Sequence, residues 1–342
     1  AQAFRGEPIM RQWIETTMHP ERYHGHDQRP PFFEGWYYKL ISADQSRRYA
    51  VIPGIFLSDD RDKHHAFVQV FDGLSGHVTY HRYPPEQFYA ARDKFEIRVG
   101  PNWFTEDSLS LDIRDELRTA QGEVRFSGLT RWPVTVTAPG IMGWYAWMPF
   151  MECYHGVISL DHTISGALQI DGESIDFGGG RGYIEKDWGQ AFPSAWVWMQ
   201  SNHFDTPGVS ITASIAMIPF VRQTFPGFII GLWHDGELHR LATYTGARTT
   251  QLEVTDDHVT WVIESADKRL EILAERAEGA LLPGPNRVEM GVRVPETLKA
   301  TIAVRLTRIA RGATGLIFEG KGGCAGLEVA GALPKLLSTI KA

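Results

Sequence analysis

The amino-acid sequence predicts an all-β fold of two packed antiparallel barrels or sandwiches with few short helices. Short segments rich in β-branched and aromatic residues recur along the 342-residue chain. Many alternate with a period of two, as Ile211, Ala213, Ile215 and Met217 do. Roughly ten strand candidates precede residue 190 and about ten follow it, and an antiparallel sheet of that many strands usually closes or splits into two.

The clearest strand candidates are Tyr49–Leu57, His65–Phe71, Phe95–Val99, Leu109–Ile113, Val209–Ile218, Phe228–Trp233, Val259–Ile263 and Leu270–Ala274. Asp-Gly pairs lie between such segments, and both Asp171-Gly172 and Asp235-Gly236 have the spacing of a β-hairpin. Helix is expected in Pro8–Thr16, in a short turn after Lys186 and in the tail Leu333–Ile340.

The chain shows no Pro- and Ser-rich linker and no repeat of roughly 20–50 residues, which disfavours a propeller. A change of domain is expected within the segment Gly178–Pro193. We therefore predict an N-terminal β domain over residues 20–185 and a C-terminal β domain over residues 186–342. Ligands often bind where two such domains meet.

Composition narrows the classes of function. Hydrophobic residues make up 43% of the chain, and its net charge of −7 disfavours a nucleic-acid partner. No apolar run reaches the roughly 20 residues of a membrane span, and the first 20 residues match neither a signal peptide nor a transit peptide. The two cysteines, Cys153 and Cys324, are far apart, which indicates a reducing, cytoplasmic compartment.

The sequence also lacks the common motifs of enzymes that use a nucleophilic serine, bound nucleotides or metal ions. It has no G-x-S-x-G, P-loop, H-E-x-x-H or C-x-x-C motif. The 13 histidines show no ligand spacing, and the pairs at His24/His26 and His64/His65 are typical of loops. We therefore predict neither a metal nor a cofactor.

Aromatic residues are abundant, with 11 Trp, 18 Phe and 11 Tyr, and two segments that contain several of them stand out. In the first, a strand beginning at Glu34 would place Glu34, Trp36 and Tyr38 on one face and Tyr37 and Lys39 on the other. A carboxyl group that shares a face with two large aromatic rings has a raised pKa. The alternative is an ordinary salt-bridged glutamate at the rim of a pocket.

The second segment begins with a charged triplet. If it is extended, Glu185 and Asp187 share a face with Tyr183, whereas Lys186 and Trp188 point the other way. Two neighbouring carboxyl groups push their pKa values apart and can leave one of them protonated near neutral pH. The alternative is a structural salt bridge between Lys186 and either carboxylate.

The strand that follows is apolar on both faces, which indicates that it is buried. Trp196, Trp198, Gln200, Asn202 and Phe204 share one of these faces. Buried amide side chains need hydrogen-bond partners, and these are either on neighbouring strands or on a ligand. Both alternatives stay open.

The two segments resemble the tocopherol cyclase family. The resemblance runs from about Tyr23 to about Ala247. The motifs that carry it are Phe32-Phe33-Glu34-Gly35-Trp36-Tyr37, Pro53-Gly54-Ile55, His155–His162, Ile184–Gly189, Phe192-Pro193, Trp196-Val197-Trp198 and Gln200–Phe204. Carotenoid 1,2-hydratases are more distantly similar and carry Asp-His-x-Trp-Gly where this chain has residues 185–189. Lys186 replaces the hydratase histidine, which favours the cyclase branch.

The resemblance implies two lipocalin-like β domains and the closure of a prenylated benzoquinol to a chromanol, without metal or redox cofactor. An acid protonates the prenyl double bond while the phenol oxygen attacks the developing tertiary cation, in a pocket that excludes water. Glu185 or Asp187 is the expected proton donor and Glu34 the reserve candidate, with Lys186 orienting or balancing the carboxylates. The expected substrate-binding side chains are Trp36, Tyr37, Tyr38, His155, Trp188, Trp196, Trp198, Gln200 and Asn202.

Two other functions remain open. A lipocalin-like carrier would bind an isoprenoid quinone or another lipid in the same aromatic pocket without changing it. A hydratase or isomerase would share the first protonation but quench the cation differently. Each of these functions takes a hydrophobic small molecule as its partner. Such a molecule suggests peripheral contact with a membrane, although the sequence has no basic amphipathic helix.

Overall fold

The computed structural model describes residues 13–149, 151–220, 223–310 and 313–341. Two large antiparallel sheets account for most of these residues, which confirms the prediction of an all-β fold. Within the described ranges, no strand pairing joins the two ends of either sheet, so each sheet is sandwich-like rather than a closed barrel. Of the helix predicted at Pro8–Thr16, residues 13–16 are helical and the rest lies outside the described residues.

The strands of the first sheet are β1 (Phe32–Ile41), β2 (Arg48–Leu57), β3 (His65–Asp72), β4 (Val78–Tyr83), β5 (Phe88–Ala90), β6 (Glu96–Val99), β7 (Asn102–Thr105), β8 (Ser108–Arg114), β9 (Thr119–Ser127), β12 (Cys153–Ile170), β13 (Glu173–Asp176) and β14 (Arg181–Gly189). Their order in the sheet is β4-β3-β2-β1-β14-β12-β9-β8-β7-β6-β5, and β13 pairs with β12 beside this path. A separate small pair consists of β10 (Val134–Thr135) and β11 (Ala138–Pro139).

The strands of the second sheet are β15 (Ala195–Ser201), β16 (His203–Phe204), β17 (Ser210–Phe220), β18 (Gln223–His234), β19 (Glu237–Ala242), β20 (Arg248–Val254), β21 (His258–Glu264), β22 (Lys268–Glu275), β23 (Ala280–Gly284), β24 (Val292–Ala310) and β25 (Ala313–Gly331). Their order in the sheet is β19-β18-β17-β15-β25-β24-β22-β21-β20, and the short strands β16 and β23 pair with β25 and β24, respectively.

Besides the helical residues 13–17, the remaining regular elements in the described ranges are short 3₁₀ helices and a C-terminal helix. The 3₁₀ helices are Gly25–Asp27, Arg61–Lys63, Pro85–Gln87, Gly143–Trp147 and Thr243–Thr245. The C-terminal helix Leu333–Lys341 confirms the predicted tail. The turn predicted after Lys186 was wrong, because β14 stays extended to Gly189 and pairs with β1 on one side and β12 on the other.

Both predicted Asp-Gly hairpins are confirmed. Asp171-Gly172 joins β12 to β13, and Asp235-Gly236 joins β18 to β19. All four residues have positive φ angles, 53° and 84° in the first turn and 52° and 76° in the second. Asp and Gly tolerate this left-handed conformation better than other residues, so the sequence fixes the turn and with it the register of the strands.

The chain passes from one sheet to the other between Gly189 and Ala195. The predicted boundary between residues 185 and 186 therefore falls inside β14, which belongs to the first sheet along its whole length. The passage between the sheets overlaps the end of the wider predicted segment Gly178–Pro193 and reaches two residues beyond it. The division into two domains at that boundary stays a prediction.

Hydrophobic residues form one core from the strands of the first sheet, a second core from the strands of the second sheet, and a third core between the two sheets. Alternation along β1 sends Trp36 and Tyr38 into the core of the first sheet and Tyr37 into the core between the sheets. Tyr183 from β14 meets Trp198 from β15 in that third core. No described helix combines the length and apolar character that crossing a membrane requires. The seam between the sheets is thus a buried, aromatic region built by both halves of the chain.

Candidate active site

A cavity of about 120 Å³ lies at the seam between the two sheets. Its wall is mostly apolar, and Met142, Phe192, Trp196, Trp198, Ile218 and Phe228 contribute to it. Its carboxyl and imidazole groups come from His155, Glu185, Asp187 and Glu328. We call this space the seam cavity. An apolar space with a few converging polar groups is the usual form of a site for a small hydrophobic ligand.

Glu185 on β14 is 5% exposed and lines the seam cavity. Its Oε2 accepts hydrogen bonds from the Tyr183 hydroxyl at 2.5 Å and from Trp198 Nε1 at 3.1 Å. Burial raises the pKa of Glu185 to about 7, and the charge of Asp187 adds to the rise, while His155 and the two hydrogen bonds oppose it. Glu185 therefore keeps a transferable proton near neutral pH.

His155 on β12 lies between the two carboxyl groups of β14. Its Nδ1 is 2.8 Å from Asp187 Oδ1, and its Nε2 is 3.4 Å from Glu185 Oε2, an ion-pair distance without hydrogen-bond geometry. Burial alone would lower the pKa of His155, but the charges of Glu185 and Asp187 outweigh it and raise the pKa to about 9. His155 is therefore an imidazolium at neutral pH and donates to Asp187.

The same three residues offer a set of donors that suits a divalent cation. One ligand atom from each of His155, Glu185 and Asp187 lies within 4.8 Å of the others. Imidazole and carboxylate groups are common ligands of zinc and other transition metals. A hydrogen bond already joins His155 Nδ1 to Asp187 Oδ1, whereas His155 Nε2 has no hydrogen-bond partner within the described ranges.

Two further buried carboxyl groups lie at the seam, and the sequence did not reveal them. Glu328 on β25 lines the seam cavity and accepts a hydrogen bond from Trp196 Nε1 at 2.6 Å. Glu296 on β24 accepts one from the Tyr37 hydroxyl at 2.5 Å. Burial raises the pKa of Glu296 to about 8 and that of Glu328 well above its usual range, with the mutual repulsion of the carboxylates adding to both.

A family comparison covers this site. Residues 110–331, well over half of the chain, match the family model described as tocopherol cyclase-like. The chain belongs to the tocopherol cyclase-like family. The matched segment contains Glu185, Asp187, Glu296 and Glu328, and it extends beyond the resemblance seen in the sequence, which ended near Ala247.

Curated plant relatives agree with this tocopherol cyclase-like assignment. A probable chloroplastic tocopherol cyclase from Oryza sativa subsp. japonica is 26% identical over 276 residues, which cover 66% of this chain and 58% of that protein. A chloroplastic tocopherol cyclase from Zea mays is 27% identical over 221 residues, 61% of this chain and 45% of that protein. The chain thus spans about half the length of the curated relatives it matches.

Among solved structures, the crystal structure of CghA with Sch210972 shares the fold. The TM-score is 0.52 and the sequence identity 13%, over 88% of this chain and 89% of that one. At this identity the likeness concerns the architecture of the two sheets alone.

In this tocopherol cyclase-like chain, Glu34 and Lys186 lie on the other side of β14 from Glu185. They form a fully buried ion pair inside the first sheet. Burial opposes ionisation of Glu34, but the Lys186 charge and contacts with His24 lower its pKa overall. The expectation that Lys186 balances Glu185 or Asp187 is therefore corrected, because alternation along β14 turns its side chain to the opposite face.

The structure distributes the predicted substrate-binding residues over several places. His155, Trp196 and Trp198 line the seam cavity with the predicted acids. Trp36 and Tyr38 are fully buried in the core of the first sheet, where Trp36 stacks on Phe95 and the Tyr38 hydroxyl donates to the Thr105 carbonyl at 2.6 Å. The structure thus places these two residues away from the cavity, which corrects the expectation for them.

The other predicted residues have protein partners outside the seam cavity. Gln200 accepts a hydrogen bond from Lys39 at 2.8 Å, and Asn202 donates to Asp161 at 2.9 Å. Tyr37 is occupied by Glu296, as described above, and Trp188 packs between His24 and Tyr154. These contacts satisfy the Gln200 amide oxygen and the Asn202 amide nitrogen, but Gln200 Nε2 has no hydrogen-bond partner within the described ranges, so both alternatives for the buried amides stay open. Their role in binding stays a prediction.

Proposed function

We propose that this chain closes the ring of a prenylated benzoquinol and that Glu185 donates the proton. The observation that carries the proposal is a buried carboxyl group with a pKa of about 7 in an apolar cavity between the sheets. Membership of the tocopherol cyclase-like family supports the choice of substrate class.

The reaction is an isomerisation in which every atom of the substrate is kept. The Glu185 carboxyl proton passes to the less substituted carbon of the prenyl double bond, and a tertiary cation forms at the other carbon. The phenol oxygen bonds to that cation, and its own proton returns the carboxylate to the acid form. The imidazolium of His155 stabilises Glu185 while it is ionised, because it lies 3.4 Å away.

Three effects in the seam cavity support formation of the cation and its capture by ring closure. The rings of Trp196 and Trp198 face the cavity, and an aromatic face stabilises a nearby cation by about 0.5–2 kcal/mol. The apolar wall keeps water away, and water would otherwise capture the cation as a tertiary alcohol. Holding the phenol oxygen near the double bond lowers the barrier further by removing the entropy cost of their encounter.

Hydration is the second candidate function, because the structure weakens the argument against it that was based on Lys186. Lys186 replaces the histidine of the hydratase motif, but its side chain points away from the seam cavity and pairs with Glu34. The replacement therefore does not decide how a cation in the seam cavity is quenched. Only the product distinguishes the two reactions.

The test is incubation of the purified protein with a prenylated benzoquinol and a reductant in heavy water, with products identified by chromatography and mass spectrometry. We expect a chromanol with one solvent deuteron on the ring carbon next to the newly formed C–O bond. A deuterated tertiary alcohol would overturn ring closure in favour of hydration. Recovery of unchanged quinol that quenches tryptophan fluorescence would make the protein a carrier.

A further inference from the structure

A second cavity, larger than the first, lies beside the seam cavity. It has a volume of about 630 Å³, and we call it the outer cavity. Its lining includes Tyr23, His24, His26 and Trp188. Four lining residues are common to both cavities: Met142, Met151, Tyr154 and His155. A ligand with two ends could therefore occupy both spaces and pass the imidazole of His155 at their junction.

His24 is held rigidly in the wall of the outer cavity. Its backbone N–H donates to the Glu34 carboxylate at 2.9 Å, and its ring stacks on Trp188 with 4.2 Å between ring centroids. Its Nδ1 lies 3.0 Å from the ammonium nitrogen of Lys186. The side chain is 9% exposed. These contacts fix both the position and the orientation of the imidazole.

The neighbours of Lys186 determine which nitrogen of His24 carries the hydrogen. An ammonium group has three N–H donors and no acceptor. Lys186 directs them to the Arg22 carbonyl, to Glu34 Oε1 and to His24 Nδ1. Nδ1 lies closer to the Lys186 ammonium, at 3.0 Å, than to Glu34 Oε1, at 3.5 Å, so it accepts from Lys186 and the hydrogen of the neutral ring is on Nε2. Burial and the charge of Lys186 lower the pKa of His24, which keeps the ring neutral.

This leaves a donor without an acceptor. His24 Nε2 is buried and has no hydrogen-bond partner within the described ranges of the chain. A buried N–H group that forms no hydrogen bond is destabilising, because it has lost its hydrogen bonds to water without replacement. Three precise contacts therefore hold a group whose remaining hydrogen-bonding capacity the protein does not use.

We propose that His24 is a substrate-binding residue whose Nε2–H donates to an oxygen of an aromatic head group in the outer cavity. The prenyl chain then runs past His155 into the apolar seam cavity, where its first double bond meets Glu185. The identity of the head group as a hydroquinone rests on the proposed function. The hydrogen-bond site itself requires only a neutral hydroxyl or carbonyl oxygen.

Two substitutions separate the donor from the structural role of His24. In His24→Gln the side-chain amide can place an N–H group near the position of Nε2, whereas in His24→Asn the shorter amide can still accept from Lys186 but cannot reach that position. The probe is trimethylhydroquinone, a head group without a tail, kept reduced with ascorbate and measured by titration calorimetry. We expect His24→Asn to weaken binding by about tenfold or more and His24→Gln to stay within about threefold of the unmodified protein.

Equal affinity of His24→Asn and the unmodified protein would overturn the inference, as would equal losses in both variants or no binding by the unmodified protein. Thermal melting establishes that each variant is folded. If His24→Asn does not fold, nitrogen NMR of the ¹⁵N-histidine-labelled unmodified protein replaces it. The protonated Nε2 of His24 must then shift when the probe binds, and an unchanged signal contradicts the proposal.

The inference and the proposed function fail in different experiments. Weak head-group binding by His24→Asn together with no chromanol from the unmodified protein would keep the binding site and remove the cyclase. Chromanol formation by the unmodified protein together with full head-group binding by His24→Asn would keep the cyclase and remove the binding site at His24. Head-group affinity reports on the outer cavity, and product analysis reports on the seam cavity.

Discussion

Three glutamates at the seam between the sheets, Glu185, Glu296 and Glu328, hold their protons more tightly than glutamates in water do. Burial is the largest cause in each case. Repulsion by Asp187 adds to the raised pKa of Glu185, and repulsion by Glu185 adds to those of Glu296 and Glu328. A carboxyl group with a raised pKa in the folded state contributes stability that is complete below its unfolded pKa and is lost as the pH rises through the folded value. For Glu296 this interval runs from 4.5 to about 8.

Replacing Glu296 tests this electrostatic account. Glutamine resembles the protonated acid and can still accept the hydrogen bond from Tyr37. We therefore expect Glu296→Gln to melt at a higher temperature than the unmodified protein at pH 9 and at nearly the same temperature at pH 5. Differential scanning calorimetry at the two pH values measures this. Glu116→Gln, at an exposed position, is the control, and its melting temperature should equal that of the unmodified protein at both pH values. An equal change in melting temperature for Glu296→Gln at both pH values would contradict a raised pKa of Glu296.

At the scale of the element, β14 separates two kinds of charge. Glu185 and Asp187 face the seam, whereas Lys186 and Trp188 face the interior of the first sheet. The alternation of side chains along an extended strand predicts this division from the sequence alone. The ion-pair partner of Lys186 could not be predicted in this way, because the sequence does not say which strand lies beside β14. The pairing of β1 with β14 brings Glu34 to Lys186 from 152 positions away.

The buried ion pair between β1 and β14 makes a prediction about stability. Lys186→Met leaves Glu34 buried without its cation, and breaking such a pair on one side costs about 3–5 kcal/mol. Adding Glu34→Gln removes the stranded charge and should recover most of that loss. Urea denaturation of both variants gives the two free energies of unfolding. A double variant no more stable than Lys186→Met would show that Lys186 does not act mainly as the partner of Glu34.

Sequence analysis identified the residues of the site that stand in motifs and missed two buried acids that do not. Glu185 and Asp187 stand in a motif, and Trp196 and Trp198 follow within the same segment, so local pattern was enough. Glu328 has no motif, but it is the only charged residue between Lys321 and Lys335. A lone charge in an apolar strand is a usable signal of a buried acid. Glu296 gave no such signal, because only the tertiary pairing of β24 with β25 places it at the seam.

At the scale of the whole molecule, the candidate site exists only because two sheets meet. Glu185 comes from the first sheet, whereas Trp198, which donates to it, and Glu328 come from the second. A small residue on β25 makes room for this contact, since a side chain at Gly326 would come within 2.7 Å of the Trp198 ring. Burial at the seam raises the pKa of the acid, and the same arrangement brings aromatic rings to the wall of its cavity.

The most direct test of this account is the turnover of a prenylated benzoquinol in heavy water by Glu185→Gln. The glutamine keeps the size of the side chain but has no proton acidic enough to protonate an alkene. We expect Glu185→Gln to bind the quinol, as seen by quenching of tryptophan fluorescence, and to form no chromanol. The unmodified protein and the exposed-site control Glu116→Gln should both form singly deuterated chromanol. Chromanol formation by Glu185→Gln at the rate of the unmodified protein would contradict the account.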